Sequence, residues 1–286
     1  MKYRFIHAHR TEHPLMHLCQ AIGVSRSGYY AWCQRPISAR ATANARLLEQ
    51  MQHLHRQTKA RYGAVKLWRA LQLTGVRCGR HRVARLRRQH GLRAQRIRRF
   101  RVMSERHEFA PPAPNRLQQV FVAPAVNCIW AGDLTAIATR AGWLYLAVLL
   151  DLYSRRVIGW AMSAKPDQHV ALQALHMAMA HRRPRPGLIH HSDQGALYTS
   201  RAYQRLLTAY GLVSSMSRKG NCYDNAVVES FFSTLKNELV HEQRFDSHDQ
   251  AHAAVFEFIE VFYNRQRLHQ TLGYVSPLQF EVRRLP

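Results

Sequence analysis

Three carboxylates and one lysine carry the chemistry that this sequence could perform. Asp193 follows an apolar run, in Leu188-Ile189-His190-His191-Ser192-Asp193-Gln194-Gly195, where a short buried strand breaks into a glycine turn. Glu229 lies beyond 35 intervening residues in a helix-like segment, and Lys236 follows it by seven positions. Seven residues make almost two helical turns, so the carboxylate and the ammonium share a face. Asp133 interrupts a third apolar segment, 128–137, although Asp is depleted in strands. Carboxylates gathered from three elements repel one another unless a cation lies between them. Hard divalent ions take oxygen ligands. Two such ions, about 3.5–4 Å apart, can activate an attacking oxygen and stabilise a leaving one in phosphoryl displacement. Each acid also has an ordinary reading: Asp193 as an Asx turn, Glu229 as a solvent-facing helix residue. Asp151 suits the turn after a strand, and Asp224 suits a helix N-cap.

The elements that must position these acids fill the second half of the chain. Segments 128–137, 143–150 and 156–162 read as short apolar strands joined by tight turns, an antiparallel meander. A helix over 168–181, a strand at 188–191, a helix over 200–210 and a strand at 213–216 follow, and helices over 224–240 and 248–263 complete the unit. A meander followed by strand-helix-strand implies a mixed sheet with helices packed on it, an α/β fold. Asp133 then sits on the first strand, Asp193 just past the fourth, and Glu229 on a helix crossing the sheet.

The first half differs in charge and in pattern. Residues 1–120 hold 25 Lys+Arg against 4 Asp+Glu, whereas 121–286 hold 17 against 13, within a total net charge of +25. Segment 15–33 reads as helix, Gly23 turn and Ser25-capped helix: a helix-turn-helix or a plain helical hairpin. A long helix over 39–59 precedes a second such unit, with a helix over 62–71, a turn at 73–76 and a helix over 79–90 capped by Gly91. In that last helix Val83 and Leu86 face inward, while Arg80, Arg82, Arg85, Arg87 and Arg88 cover the remaining surface, and Arg93, Arg96, Arg98, Arg99 and Arg101 prolong the track. Positive charge this dense repels itself unless phosphates neutralise it, which favours DNA over a merely solvated face. Ala110-Pro111-Pro112-Ala113-Pro114 is a stiff linker. The expected division is 1–58 helical, 59–108 basic helix-turn-helix, 109–125 linker and 126–286 catalytic core.

Composition removes several classes. The apolar share of 47% excludes a disordered basic tail. Five scattered cysteines without a CxxC pair indicate reduced thiols and no zinc framework. Most of the eighteen histidines lie beside Arg or Gln without ligand spacing. No run of about 18 apolar residues offers a membrane span. No apolar signal segment follows Met1-Lys2-Tyr3-Arg4, so a cytoplasmic location is expected.

Trp130-Ala131-Gly132-Asp133-Leu134-Thr135, His191-Ser192-Asp193-Gln194-Gly195 and Ala226-Val227-Val228-Glu229-Ser230-Phe231-Phe232 with Lys236 resemble the DDE core of insertion-sequence transposases. The resemblance is to the catalytic subunit of the IS-three type, related to retroviral integrases. Ser215-Met216-Ser217-Arg218-Lys219-Gly220-Asn221-Cys222-Tyr223-Asp224-Asn225 is similar to the segment preceding that family's glutamate. Gly23-Val24-Ser25-Arg26-Ser27-Gly28-Tyr29-Tyr30-Ala31-Trp32 fits its beginning; Tyr263-Asn264, Arg267, His269, Leu272 and Pro277 fit its end. Ala196, Leu197 and Ala136-Ile137 depart from the usual pattern. The resemblance implies a ribonuclease-H-like mixed five-stranded sheet with flanking helices, preceded by an all-α helix-turn-helix region. It implies Asp133, Asp193 and Glu229 as catalytic ligands of two Mg²⁺ or Mn²⁺ ions, and Lys236 as a DNA contact near the scissile phosphate. Arg218 and Lys219 are further candidate DNA contacts. The implied partners are terminal inverted repeats, target DNA, further copies of the chain, and an upstream-frame DNA-binding protein or fusion, in a bacterial cytoplasm at the nucleoid. Two other readings are a catalytically inactive DNA-binding regulator and a nuclease acting on RNA hybrids; the second leaves the helix-turn-helix units unexplained.

Overall fold

A computed structural model of the chain describes residues 1–94, 112–218 and 222–283, with only the backbone of 222 and 223. Among these residues, α1 (Lys2–His9), α2 (Leu15–Ile22) and α3 (Arg26–Gln34) form a small helical unit around Ile6, Leu18, Cys19 and Tyr29. Gly23 ends α2 at φ +67°, a left-handed conformation that glycine adopts without a Cβ penalty. The Ser25 side chain accepts from Gly28 N to cap α3. The sequence pattern had not indicated α1, whose mean hydropathy is slightly polar and whose one buried residue is Ile6.

The second helical unit comprises α4 (Ala39–Gln57), α5 (Ala64–Leu73) and α6 (Arg80–Gln89). Leu47 and Met51 of α4 share a core with Leu67, Leu71, Val83 and Leu86. Gly91, at φ +65°, lets Leu92 N reach back to Arg87 O and closes α6 as expected. This core continues without a break into one face of the sheet. Tyr62 sits at the junction: its hydroxyl donates to Gln266 O and accepts from Leu268 N, while Arg61 lies over the Phe262 and Phe258 rings.

Five strands form the mixed sheet: β1 (Ile129–Thr139), β2 (Gly142–Asp151), β3 (Val157–Ser163), β4 (Ile189–Ser192) and β5 (Val213–Met216). The order is β3-β2-β1-β4-β5, with β1 to β3 an antiparallel meander and β4 and β5 parallel to β1. This is the expected ribonuclease-H-like α/β arrangement. Two crossover helices, α7 (Gln168–Arg182) and α9 (Arg201–Ala209), cover one face through Val170, Ala174, Leu175, Ala178, Tyr203 and Leu207. Between β4 and α9 the chain makes one short helical turn, α8 (Ala196–Thr199). A Cβ at Gly159 of β3 would collide with the Ala174 carbonyl and with Ala178, so the glycine sets how closely α7 approaches.

The opposite face carries α10 (Ala226–Leu235) and α11 (His248–Phe256), and α12 (Pro277–Val282) closes the chain. Each long helix expected here is divided: α10 follows a 3₁₀ turn at Cys222–Asn225 and passes into a π-helical turn at Lys236–Val240, and α11 passes into another at Glu257–Tyr263. Among the described residues no helix is long and apolar enough to cross a membrane.

Candidate active site

The sheet brings the two aspartates into electrostatic reach of each other. Ala131 of β1 lies beside His191 of the parallel strand β4. Asp133 stands two residues further along β1, and Asp193 two residues further along the chain, just past the end of β4. Asp193 leaves β4 in a turn in which its own Oδ1 accepts from Gly195 N at 2.9 Å. A Cβ at Gly195 would come within 2.8 Å of that carboxylate, so a larger residue there would displace the Asp193 side chain. Glu229 occupies the first turn of α10, whose Val228, Phe231, Phe232 and Leu235 are buried on the core side. The start of α10 is tied to β1 by Asn225 Nδ2 donating to Gly132 O, next to Asp133.

The electrostatics agree with the geometry. Burial, then the neighbouring Asp193 and Glu229 charges, push the Asp133 carboxyl well above the usual carboxylate range; Leu134 N and Lys236 oppose this. Burial raises Asp193 against the Gly195 hydrogen bond, and burial raises Glu229. Lys236, expected to contact DNA near the scissile phosphate, is 8% exposed, at the start of the first π-helical turn. Burial lowers its ammonium while Asp133 raises it. The lysine therefore faces the acids along the helix line that its spacing from Glu229 required.

All three converging side chains are hard oxygen donors, the set that Mg²⁺ or Mn²⁺ takes. Their mutual repulsion is what a divalent cation would relieve. Among the described residues, however, no group of three His, Cys, Asp or Glu side chains stands as a ready-made metal cluster. The adjacent histidines are engaged elsewhere: His190 Nε2 pairs with the Tyr203 hydroxyl at 2.9 Å, and His191 with Ser215 and Ser217. Burial holds His190 neutral by pushing it down to about 3.

The competing acids are structural. Asp151 accepts from Asn127 N and Tyr153 N, the turn role its position implied. Asp224 is not the helix cap that its position had suggested. Asn225 occupies that position, without a side-chain cap bond, and Asp224 lies buried in the preceding 3₁₀ turn. Its partner is Arg218, which is therefore engaged by a carboxylate although its side chain remains 61% exposed. Lys219 lies outside the described residues, as do Arg96, Arg98, Arg99 and Arg101.

The arginines of α6 divide into two sets. Arg80, Arg85 and Arg88 are exposed, whereas Arg82 and Arg87 are half-buried. Arg82 Nε donates to Asn44 Oδ1 of α4 at 2.8 Å. Arg87 turns toward His55, with one guanidinium nitrogen buried and unpartnered among the described residues. The expectation that all five cover the surface is corrected, because two of the helix positions point at α4. Arg46 and Arg77, which sequence spacing did not single out, join Arg82 in lining a cleft of about 450 Å³ between α4 and the α5–α6 turn. They come from different elements, so no local pattern links them.

Comparison with known proteins agrees with both halves. Residues 123–222 and 229–285 match two families each described as integrase core domain, and residues 42–100 match an HTH-like domain. The chain is 43% identical over 287 residues to the transposase InsF for insertion sequence IS3A of Escherichia coli (strain K12), covering all of both chains. It is 44% identical over 263 residues to an insertion element IS600 uncharacterized 31 kDa protein of Shigella sonnei, covering 92% of this chain and 97% of that one. The catalytic core domain of HTLV-2 integrase in complex with magnesium aligns at a TM-score of 0.43 and 18% identity, over 55% of this chain and 98% of that one. An integrase core behind a helix-turn-helix-like domain, with full-length identity to IS3-type relatives, establishes the lineage: the chain belongs to the insertion-sequence transposases of the IS3 type, DNA transposases of the DDE polynucleotidyl transferase class.

Proposed function

We propose that Asp133, Asp193 and Glu229 jointly hold two Mg²⁺ or Mn²⁺ ions and that this chain cuts DNA at the ends of its insertion element. The freed 3′-hydroxyl then attacks a target strand. One observation carries the reading: three carboxylates from three elements face one another without an arginine partner among the described residues, in a chain of net charge +25. Bound divalent ions would supply Lewis-acid stabilisation of the attacking and leaving oxygens. The protein's own part is to hold the acids in place and to bring the phosphodiester to them. Lys236, beside Asp133, would meet a phosphate oxygen at that point. Arg80, Arg85 and Arg88 would contact backbone phosphates, which position a duplex without reading its sequence.

The proposed division of labour keeps 1–58 as a helical unit, 59–108 as the basic DNA-binding region, 109–125 as the linker and 126–286 as the catalytic core. The proposed substrates are terminal inverted repeats and target DNA, handled by more than one copy of the chain, with an upstream-frame protein or fusion as a further partner. Work on DNA would place it at the bacterial nucleoid. The test is strand cleavage of a labelled duplex carrying an element end, in Mg²⁺ or Mn²⁺. Asp133→Asn is expected to lower cleavage roughly a thousandfold or more, since several kcal/mol of charge stabilisation is removed, with gel-shift affinity unchanged. Cleavage retained by that variant would sink the assignment. Binding without cleavage by the unaltered chain would instead select the regulator.

A further inference from the structure

Asp224 is fully buried, five residues before Glu229, and five donor groups converge on it. Arg218 contributes its backbone N at 2.8 Å, Nε at 3.1 Å and Nη2 at 3.2 Å. Asn115 Nδ2 donates at 2.9 Å and Gln119 Nε2 at 3.1 Å. These last two come from the segment that leads from the basic helical half into the integrase core. The same segment is fastened to the end of β5, because Arg116 N donates to Ser215 Oγ at 3.0 Å. Gln118 and Gln119 both hold positive φ, at 47° and 65°. Left-handed backbone is unfavourable for a residue with a Cβ. It persists here where Asn115 Oδ1 accepts from Leu117 N and Gln118 N and the Gln119 amide reaches Asp224.

From Asp224 the contacts lead to the neighbours of all three candidate ligands. Ser217 O, next to Arg218, accepts from Gln194 Nε2, and Gln194 follows Asp193. Asn225, next to Asp224, donates to Gly132 O, and Gly132 precedes Asp133. Glu229 stands one turn into the helix that this junction begins. Asp224 touches none of the acids itself, so any effect it has on them passes through backbone position. Among the described residues no group of three such side chains is close enough to hold an ion as it stands. Where α10 starts bears on where Glu229 stands relative to the two aspartates.

We propose that Asn115, Gln119, Arg218 and Asp224 form a latch through which the segment entering the integrase core sets the position of Glu229, with Asp224 as a positioning residue. The latch rests on the reading of Asp133, Asp193 and Glu229 as metal ligands. It makes the metal site sensitive to where the segment between the two halves lies, although that segment supplies no ligand. Asn115 and Gln119 are the parts that can be removed without stripping Asp224 of its arginine.

The test uses the full chain without DNA and titrates Mn²⁺, reading free ion by electron paramagnetic resonance. The double variant N115A/Q119A is expected to weaken Mn²⁺ binding about tenfold, the lower end of what supporting residues around metal ligands contribute, with an unchanged gel-shift affinity for DNA. Asp224→Asn, which keeps the shape and removes the charge, is expected to weaken it further. Mn²⁺ binding equal to that of the unaltered chain in both variants would overturn the latch, provided that Asp133→Asn abolishes binding. If Mn²⁺ binding survives Asp133→Asn, the metal reading itself fails and the latch with it. A merely structural role would lower the melting temperature and leave the Mn²⁺ titration where it was.

Discussion

The carboxylates packed into this protein, buried or half-buried, live in different surroundings. Outside the site, three find arginine: Glu281 binds Arg182 and Arg156 and accepts from Ser154, Glu238 binds Arg267, and Asp224 binds Arg218, while Asp151 accepts from the backbone of Asn127 and Tyr153. At the ends of β1 and β4 and the start of α10, Asp133, Asp193 and Glu229 receive no such partner among the described residues, although the chain holds 42 Lys and Arg. The contrast shows in proton affinity. Burial pushes the Glu281 carboxyl up, but Arg182, Ser154 and Arg156 more than offset it and hold it low. Burial pushes Asp133 up, and neighbouring acids push it further. Among the described residues these acids have Lys236 near Asp133 but no arginine, and three carboxylates beside one ammonium leave room for a cation of another kind.

The contrast can be broken most forcefully at Glu281. Glu281→Ala leaves two arginines facing a buried gap, and removing one partner of a buried pair costs about 3–5 kcal/mol. At roughly 2–4 °C per kcal/mol for a domain of this size, the melting temperature should fall by about 10 °C in a calorimetric scan. An unchanged melting temperature would mean that the pair does not hold α12 to the sheet.

At the site the sign reverses. Asp133→Asn removes repulsion, so the metal-free variant should melt about 2–4 °C higher than the unaltered protein at neutral pH, the shift expected for a kcal/mol, while losing cleavage. The pH dependence has opposite senses in the two regions. Glu281, held low, contributes stability above the ordinary carboxylate range of about 4 that is lost as pH falls through its folded value. Asp133, held high, costs stability at neutral pH, and that cost fades as acidification protonates it. The advantage of Asp133→Asn should therefore shrink as pH falls toward about 4. An advantage that stays constant with pH would show that charge repulsion is not its source.

The smallest effect separates the two sets of arginines on α6. Arg85→Ala should reduce the slope of log binding constant against log salt by about 1, with little change in melting temperature. Arg82→Ala breaks the bond to Asn44 and should show itself in stability as well as in DNA binding. Equal salt slopes for the unaltered chain and Arg85→Ala would remove α6 from the DNA interface.

Much of this architecture was legible in local chemistry. The β-meander, the crossover helices, the serine caps and the glycine turns follow from residue preferences that act over a few positions. The sites of error share one cause. Arg82 and Arg87 look like surface charge until α4 is packed against them. Asp224 looks like a helix cap until Arg218, Asn115 and Gln119 arrive from elsewhere in the chain. The π-helical turns after α10 and α11 have no marker in propensity, because an extra residue per turn is imposed by packing.

By itself the sequence determined which carboxylates could ligate a metal, which elements would carry them and which half of the chain concentrates the positive charge. Those properties depend on side-chain type, periodicity and charge density, all of which act at short range. The tertiary structure alone decided that Asp133 and Asp193 come into electrostatic reach of each other, that Lys236 faces them, and that a segment about a hundred residues away in sequence bears on the start of the helix holding Glu229. Strand pairing and buried hydrogen bonds join residues distant along the chain, and only the closed fold specifies which ones meet.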